Sequence, residues 1–280
     1  MEQRLQLTPP APKYSLNASP GLWRCDAAIA SGPEGCPRAR VYDGNGAVVY
    51  ECWHVGCDDG LPVQRRNERT MANVRLLSAA PTLVRHAYAV MVPYLREIRS
   101  TVREGRTAEL ALKLPAIRTA LDEAKEMLGR IDQHYSPSPW RTEGQVRQVG
   151  YRNKRHTISV FERNEIVAVC PLIEAPGLSP QQRIARTRAN ACMAAVIPEV
   201  HQHMDTELWT SLHALRSALE FERSGYPSVE SYVGSGRLDQ VIASADALFA
   251  RVQGVGVEQR EQVQDFPTES ETNETEATRL

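Results

Sequence analysis

The strongest constraint on what this chain can fold into is that part of it is written twice. Thr70-Met71-Ala72-Asn73-Val74-Arg75-Leu76-Leu77-Ser78-Ala79-Ala80-Pro81 returns as Thr187-Arg188-Ala189-Asn190-Ala191-Cys192-Met193-Ala194-Ala195-Val196-Ile197-Pro198, 117 positions later. The same offset carries Ser19-Pro20-Gly21-Leu22-Trp23-Arg24 onto Ser136-Pro137-Ser138-Pro139-Trp140-Arg141, and Arg66 and Arg69 onto Arg183 and Arg186. A backbone that suits the first copy must suit the second, and 280 residues are enough for two ordinary domains, each with its own core. The sequence therefore predicts a first module over residues 19–133 and a second over 134–253, with an extended, proline-bearing arm over 1–18 and a disordered acidic tail over 254–280.

Each module opens on a hairpin signal. Ala39-Arg40-Val41-Tyr42 and Ala47-Val48-Val49-Tyr50-Glu51-Cys52 flank a turn at Asp43-Gly44-Asn45-Gly46, and glycine and asparagine tolerate the positive φ that such turns need. Thr157-Ile158-Ser159-Val160-Phe161 and Ile166-Val167-Ala168-Val169-Cys170 repeat the pattern around Glu162-Arg163-Asn164-Glu165, so that Cys52 matches Cys170 at an offset of 118. A polar loop is expected next, then an alanine-rich helix capped by Thr70 or Thr187 and ended or kinked by Pro81 or Pro198. Beyond it, Val84, Tyr88, Met91, Leu95, Ile98 and Val102 make one heptad stripe. Leu110, Leu114, Ile117, Leu121, Ala124, Leu128 and Ile131 make another, across a glycine turn at Gly105. Pro93 and Pro115 are expected to kink or break these helices. Val200, Met204, Leu208, Leu212, Leu215 and Leu219, then Leu238, Val241, Ala245, Leu248 and Val252, form a weaker copy after an insert from Ser224 to Gly236. The fold class expected is α+β: two tandem repeats, each a small antiparallel hairpin sheet plus a helix, followed by a helical hairpin, with more helix than strand.

Charge excludes some function classes. The chain has 33 basic and 34 acidic residues, so it carries no global signature of a nucleic-acid coat or a membrane-surface protein. From Gly254 onward seven acids face two bases, which leaves the body at +4 against a formal total of −1. No apolar run approaches the roughly 20 residues needed to span a bilayer, and Met1-Glu2-Gln3-Arg4-Leu5 does not open a signal peptide. A cytoplasmic protein with reduced cysteines, making no membrane contact, is expected.

Few residues offer chemistry. Cys25, Cys36, Cys52, His54 and Cys57 cluster in the first hairpin region, and thiolate and imidazole are zinc ligands. No pair has the gap of a zinc knuckle and the second module keeps only Cys170, so Cys36, Cys52, His54 and Cys57 remain weak metal candidates; small buried cysteines are the simpler reading, and no cofactor is expected. His201 and His203, followed by Asp205 and Glu207, read as a solvated helix surface. Nothing presents a nucleophile, base and orienter in a recognisable context, there is no Gly-x-Ser-x-Gly elbow and no phosphate-cradling glycine loop, so an enzyme is not expected. The arginines ahead of each repeated helix are the more informative set: Arg65, Arg66, Arg69 and Arg75, then Arg183, Arg186 and Arg188. A second basic run, Arg147, Arg152, Lys154, Arg155 and His156, lies beside Tyr151. Guanidinium groups in repeated patches suit two phosphates or two acidic patches, with a solvated rim paired to local acids such as Glu68 as the alternative.

The order Ser-Pro-x-x-Trp-Arg, then a hairpin, then Ala-Asn-x-x-x-x-(small)-x-x-Pro resembles a family of small accessory proteins of tailed bacteriophages. That family has a Pro-x-x-Trp opening and an Ala-Asn-Ala-Arg-Leu-Ile-Ala-Ala-Ala-Pro-Glu-Leu-like helix. The matching positions are Pro20, Trp23, Ala72, Asn73, Arg75, Leu76, Ala79, Ala80 and Pro81, and again Pro137, Trp140, Ala189, Asn190, Ala191, Pro198 and Glu199. Cys192 and Met193 depart from it where Arg75 and Leu76 stand. The resemblance implies a phage or prophage gene expressed in the host cytoplasm, of the kind used in host takeover or counter-defence. The expected function is a non-enzymatic binding protein that engages a host protein complex. Nucleic-acid or nucleotide binding through the arginines is the alternative, a structural virion protein a third reading, and a homo-oligomer is compatible with all of them.

Overall fold

In a computed structural model of the chain the described residues are 18–19, 21–31, 37–53, 62–131, 134–136, 138–143, 146–149, 155–173, 175–220 and 228–254. Apart from Ala18 and Gly254, the arm and tail expected from the sequence lie outside them.

The β-branched and aromatic runs form strands where expected. β1 (Arg24–Cys25), β2 (Ala30–Ser31), β3 (Pro37–Tyr42) and β4 (Val48–Trp53) precede the first helices; β5 (Trp140–Thr142), β6 (Arg147–Val149), β7 (Arg155–Glu162) and β8 (Glu165–Pro171) precede the second set. In the first hairpin turn the Asp43 carboxylate accepts from the Asn45 and Ala47 amides at 2.9 and 3.0 Å, and Gly46 takes φ +83°. In the second, Arg163 itself sits at φ +52° and the Arg141 guanidinium donates to its carbonyl at 2.8 Å.

The expected pair of small separate sheets is instead one antiparallel sheet. Its order is β1-β3-β4-β8-β7-β5, with β2 added on β3 and β6 on β7. The join is β4 against β8, where Glu51 faces Val169. These positions are 118 apart, the offset that relates Cys52 to Cys170 in the sequence. The physical reason for the merger is edge protection. A lone hairpin is marginally stable, and pairing β4 with β8 removes two open strand edges at once.

One face of the sheet is covered by two long helices, α1 (Val63–His86) on β1, β3 and β4, and α4 (Pro180–His203) on β5, β7 and β8. Each passes through a π-helical turn, Ala87–Met91 or Met204–Leu208, into α2 (Val92–Arg103) or α5 (Trp209–Glu220). A turn with Gly105 at φ +71° and a 3₁₀ stretch, Thr107–Lys113, lead to α3 (Leu114–Gly129); on the other side α6 (Val229–Gly234) and Gly236 at φ +75° lead to α7 (Arg237–Val252). α1 and α4 are both 24 residues long, α2 and α5 both 12, α3 and α7 both 16.

Three expectations about these helices are corrected. Thr70 and Thr187 are not caps: both lie well inside their helices and return their hydroxyls to the Arg66 and Arg183 carbonyls at 2.9 Å. The true cap of α4 is Ser179, in a capping box with Gln182, and the expected polar loop is shorter on its C-terminal side, because the helices start at Val63 and Pro180, seven residues before Thr70 and Thr187. Pro81 and Pro198 do not end their helices either. A buried run, Leu76, Leu77, Ala80, Leu83 and Val84 in α1, offsets the roughly 3 kcal/mol cost of an interior proline. Pro93 and Pro115 fall in the first turns of α2 and α3, where a missing amide hydrogen is no loss. The π turn ahead of Pro93 is not caused by it, since Trp209 donates to the Met204 carbonyl in the same way with Thr210 at the corresponding place.

The helices then cross between halves. α2 packs on α7 and α3 on α5, with Arg99 and Arg103 donating to Asp239 at 2.8 and 2.7 Å and Arg118 to Glu220 at 2.9 Å. One contiguous apolar core results.

Candidate functional site

The repeated residues meet across the halves. The Ser19 amide donates to the Asn190 side-chain oxygen at 2.9 Å, and the Asn190 amide group donates back to the Ser19 hydroxyl at 3.1 Å. The Ser136 amide and hydroxyl meet Asn73 in the same way at 2.7 and 2.9 Å. Trp23 and Trp140 donate their indole N–H to the Ser19 and Ser136 carbonyls at 3.2 and 3.1 Å. Each half thus presents its tryptophan-bearing opening to the other half's asparagine. The pairing was visible in the sequence as two recurring motifs; that they bind each other was not.

The helix arginines divide once their surroundings are known. Arg69 crosses from α1 to the second half, donating to the Ser136 hydroxyl at 3.1 Å and to Glu162 at 2.6 Å, so it is a strut between halves. Arg183 donates to the Leu178 carbonyl at 3.2 Å, and Arg65 faces Glu68 at 3.4 Å on an exposed turn. Arg66 is half-buried, and the exposed Arg75 gives its carbonyl to the Ser78 hydroxyl. Arg186 is half-buried and Arg188 exposed; burial pushes the Cys192 thiol up, and the nearby Arg188 offsets only part of that. Arg152 and Lys154 lie outside the described residues, while Arg155 opens β7. Among the described residues, Arg69 spans the halves while Arg65 and Arg183 bond locally.

Of the weak metal candidates, Cys36, His54 and Cys57 lie outside the described residues. Cys52 is fully buried; beside the effect of burial, Cys170, Cys52 and Cys192 lie close enough to Tyr50, and Cys52 and Cys192 close enough to Cys170, to act on their ionisation. Burial pushes the Cys52 and Cys170 thiols well above their ordinary range, which makes them core residues and poor nucleophiles. The Tyr50 phenol, also held protonated by burial, donates to the Asn190 carbonyl at 2.7 Å. No group of three or more metal-ligating side chains occurs among the described residues.

His201 and His203 are not on a solvated surface. They are 4% and 8% exposed, and burial lowers the pKa of both below the ordinary histidine value. Neighbours on more than one side of the helix explain this burial: α4 packs on α7, and Tyr135 lies edge-on against His201. His201 Nδ1 is 3.1 Å from the Tyr135 hydroxyl.

What remains open is the face of the sheet opposite α1 and α4, on which no described helix packs. The alternation of the strands puts Arg38, Arg40, Tyr42, Val48 and Glu51 from the first hairpin there, with Ser159, Phe161, Ile166 and Val169 from the second. Glu51, buried at the centre, accepts from Arg40 at 3.0 Å and lies 3.5 Å from Arg38, an arrangement that leaves these guanidiniums partly accessible. At the two ends, Arg24 stands over the Tyr42 ring at 6.0 Å and Arg141 over the Phe161 ring at 5.8 Å. Both arginines are exposed and both rings half-buried. Sequence reasoning overlooked this set because it scanned for basic runs, and these arginines come together only through strand pairing. No helix among the described residues is long and apolar enough to cross a membrane. Family models, curated proteins and solved structures give no match to this chain.

Proposed function

We propose that the chain is one duplicated module folded against its own copy, and that it works as a non-enzymatic binding protein through the helix-free face of the sheet. The observation that carries this reading is the pair of arginine–aromatic contacts, Arg24 on Tyr42 and Arg141 on Phe161, set at either end of a face whose centre is the Glu51–Val169 pair. Arg24, Arg38, Arg40 and Arg141 against Glu51 leave the face basic, with Val48, Ile166 and Val169 between them. Aromatic and arginine side chains on a partly apolar ground are what protein interfaces concentrate, and the surplus of guanidinium selects an acidic partner. In the phage setting implied by the sequence resemblance, that partner is a host protein complex which binding inhibits or redirects.

The test is native mass spectrometry of the chain purified gently from bacterial lysate, beside a variant carrying Arg24→Glu and Arg141→Glu. A stoichiometric acidic protein held by the parent and lost from the variant supports the reading. Retention by the variant, or turnover of a substrate by a chain that holds no partner, overturns it.

The same contacts favour a second reading, single-stranded nucleic acid or nucleotide on the guanidinium and ring surfaces. It predicts affinity that falls steeply with salt, which a salt titration separates from protein binding.

A further inference from the structure

The tip of the second hairpin is built against local preference. Glu162 pairs with Glu165, so Arg163 and Asn164 are the two central residues of a tight turn, and Arg163 takes φ +52°. Turns of this length favour glycine or asparagine at positive φ, because a larger side chain crowds its own backbone there. Among the described residues Arg163 is the only one other than glycine in this region. The first hairpin meets the same need with Gly46, at φ +83°, and its turn carries no arginine.

The Arg163 side chain recovers nothing for that strain inside the protein. The residue is exposed, and among the described residues no hydrogen bond or ion pair engages its guanidinium. Its main chain is held instead: the Arg141 guanidinium donates to the Arg163 carbonyl from Nε at 3.2 Å and from Nη2 at 2.8 Å, while standing 5.8 Å from the Phe161 ring centroid. Behind the tip Phe161 pairs with Ile166 across the strands, the ring half-buried and the isoleucine 42% exposed. One end of the sheet face thus carries a guanidinium with no internal partner next to exposed apolar surface.

We propose that Arg163 anchors the partner of the sheet face, receiving a carboxylate of an acidic protein whose adjoining apolar side chain packs on Phe161 and Ile166. The inference rests on the reading of that face as a binding surface and assigns the anchoring to its second end. A guanidinium meets a carboxylate through two parallel N–H bonds, and an arginine beside aromatic and aliphatic groups is the composition in which binding energy concentrates. A phosphate would suit the guanidinium equally well, but Ile166 offers a nucleic acid no ring on which a base could stack. Strain kept at an interaction site is consistent with a side chain that acts outward rather than within the fold.

The experiment compares the full chain with Arg163→Gly and Arg163→Lys by thermal melting and by fluorescence anisotropy. The probe is a labelled acidic peptide, a repeat of Glu-Glu-Leu, with a repeat of Glu-Glu-Ser and single-stranded oligothymidylate alongside. Arg163→Gly is expected to melt about 2 °C above the parent, because the strain is gone. It binds the Glu-Glu-Leu peptide about tenfold more weakly, because the guanidinium is gone. Arg163→Lys keeps the charge and the strain but not the forked contact, so it melts as the parent does and binds with intermediate affinity. The proposal is overturned if Arg163→Gly binds as the parent does or melts no higher. It also fails if the parent takes Glu-Glu-Ser or oligothymidylate at least as tightly as Glu-Glu-Leu. A chain carrying Arg24→Glu and Arg141→Glu separates this claim from the reading beneath it. Peptide lost from that chain but kept by Arg163→Gly removes the anchor and leaves the face; peptide bound by neither the parent nor any variant removes both.

Discussion

The two halves of the chain share a backbone plan and differ in what hangs on it. α1 and α4 match in length, as do α2 and α5 and the two π turns, and the serine–asparagine exchange is made once in each direction. Three places break the match. Tyr50 reaches the Asn190 carbonyl, while Ala168, its counterpart in β8, has no group that could do so. Arg69 in the first half has Glu162 for a partner across the interface, whereas no described ion pair engages Arg186. His86 is closed by α3, whereas His203 borders an open groove. The difference teaches that the serine–asparagine and tryptophan contacts recur in both directions, while Tyr50 and Arg69, which also join the halves, and His203 at the periphery have no matching contact. Function is therefore to be sought where the symmetry fails, or where it is displayed outward on the sheet.

The comparison can be broken most forcefully at its tryptophans. Trp140→Ala removes a side chain only 2% exposed and is expected to destabilise by about 3–5 kcal/mol, with Trp23→Ala, at 8%, toward the lower end. Chemical denaturation reads both, and a larger loss from Trp23 would deny the order assigned to the halves. Asn190→Ala strands the buried Ser19 amide and hydroxyl, at roughly 2–4 kcal/mol, while Asn73→Ala strands the Ser136 amide and leaves its hydroxyl to Arg69, at roughly 1–3 kcal/mol. Equal losses would show that the two exchanges are energetically equivalent; a loss under about 1 kcal/mol for either would remove it from the set that holds the halves together.

Acid sharpens the comparison next. Burial lowers the pKa of His86, His201 and His203 in the folded state below the ordinary value near 6.5. The unfolded chain therefore binds more protons below that value, and stability falls as pH drops from neutrality through about 6.5 and on toward the folded-state values. Thermal melts across this range check it, and replacing His201 by Asn is expected to flatten the profile. A profile that rises toward acid would contradict the burial of these rings. Tyr50→Phe comes after that, at about 1 kcal/mol, because it removes one hydrogen bond that the second half never makes. Arg65→Ala is expected to change stability by well under 1 kcal/mol, its Glu68 contact being exposed.

Much of the scaffold was legible without coordinates. The hairpins followed from β-branched runs around Asp43-Gly44-Asn45-Gly46 and Glu162-Arg163-Asn164-Glu165, and the heptad stripes from Val84 to Val102 and from Leu110 to Ile131 are buried save Val102, Leu114 and Leu128, which are partly so. The helix starts were misread because Thr70 and Thr187 look like caps, while a threonine hydroxyl can equally return to the carbonyl four residues back. Candidate sites were far less legible. Arg69 reads as a surface base until Glu162, 93 residues away, is brought to it, and Arg24 and Arg141 belong to no basic run.

By itself the sequence determined the local periods: where strands alternate, where helices bury a stripe, and that two stretches 117 residues apart follow one plan. Those are short-range properties, set by backbone sterics and by the hydrophobic pattern within a few turns. Only the tertiary structure decided that β4 meets β8, that each serine finds the other half's asparagine, and that His203 rather than His86 lines a groove. The first two depend on which surfaces meet across more than 60 residues of chain, and the third on the return of α6 and α7 to α4, where partner choice is settled by joint burial and hydrogen-bond satisfaction rather than by anything a local window contains.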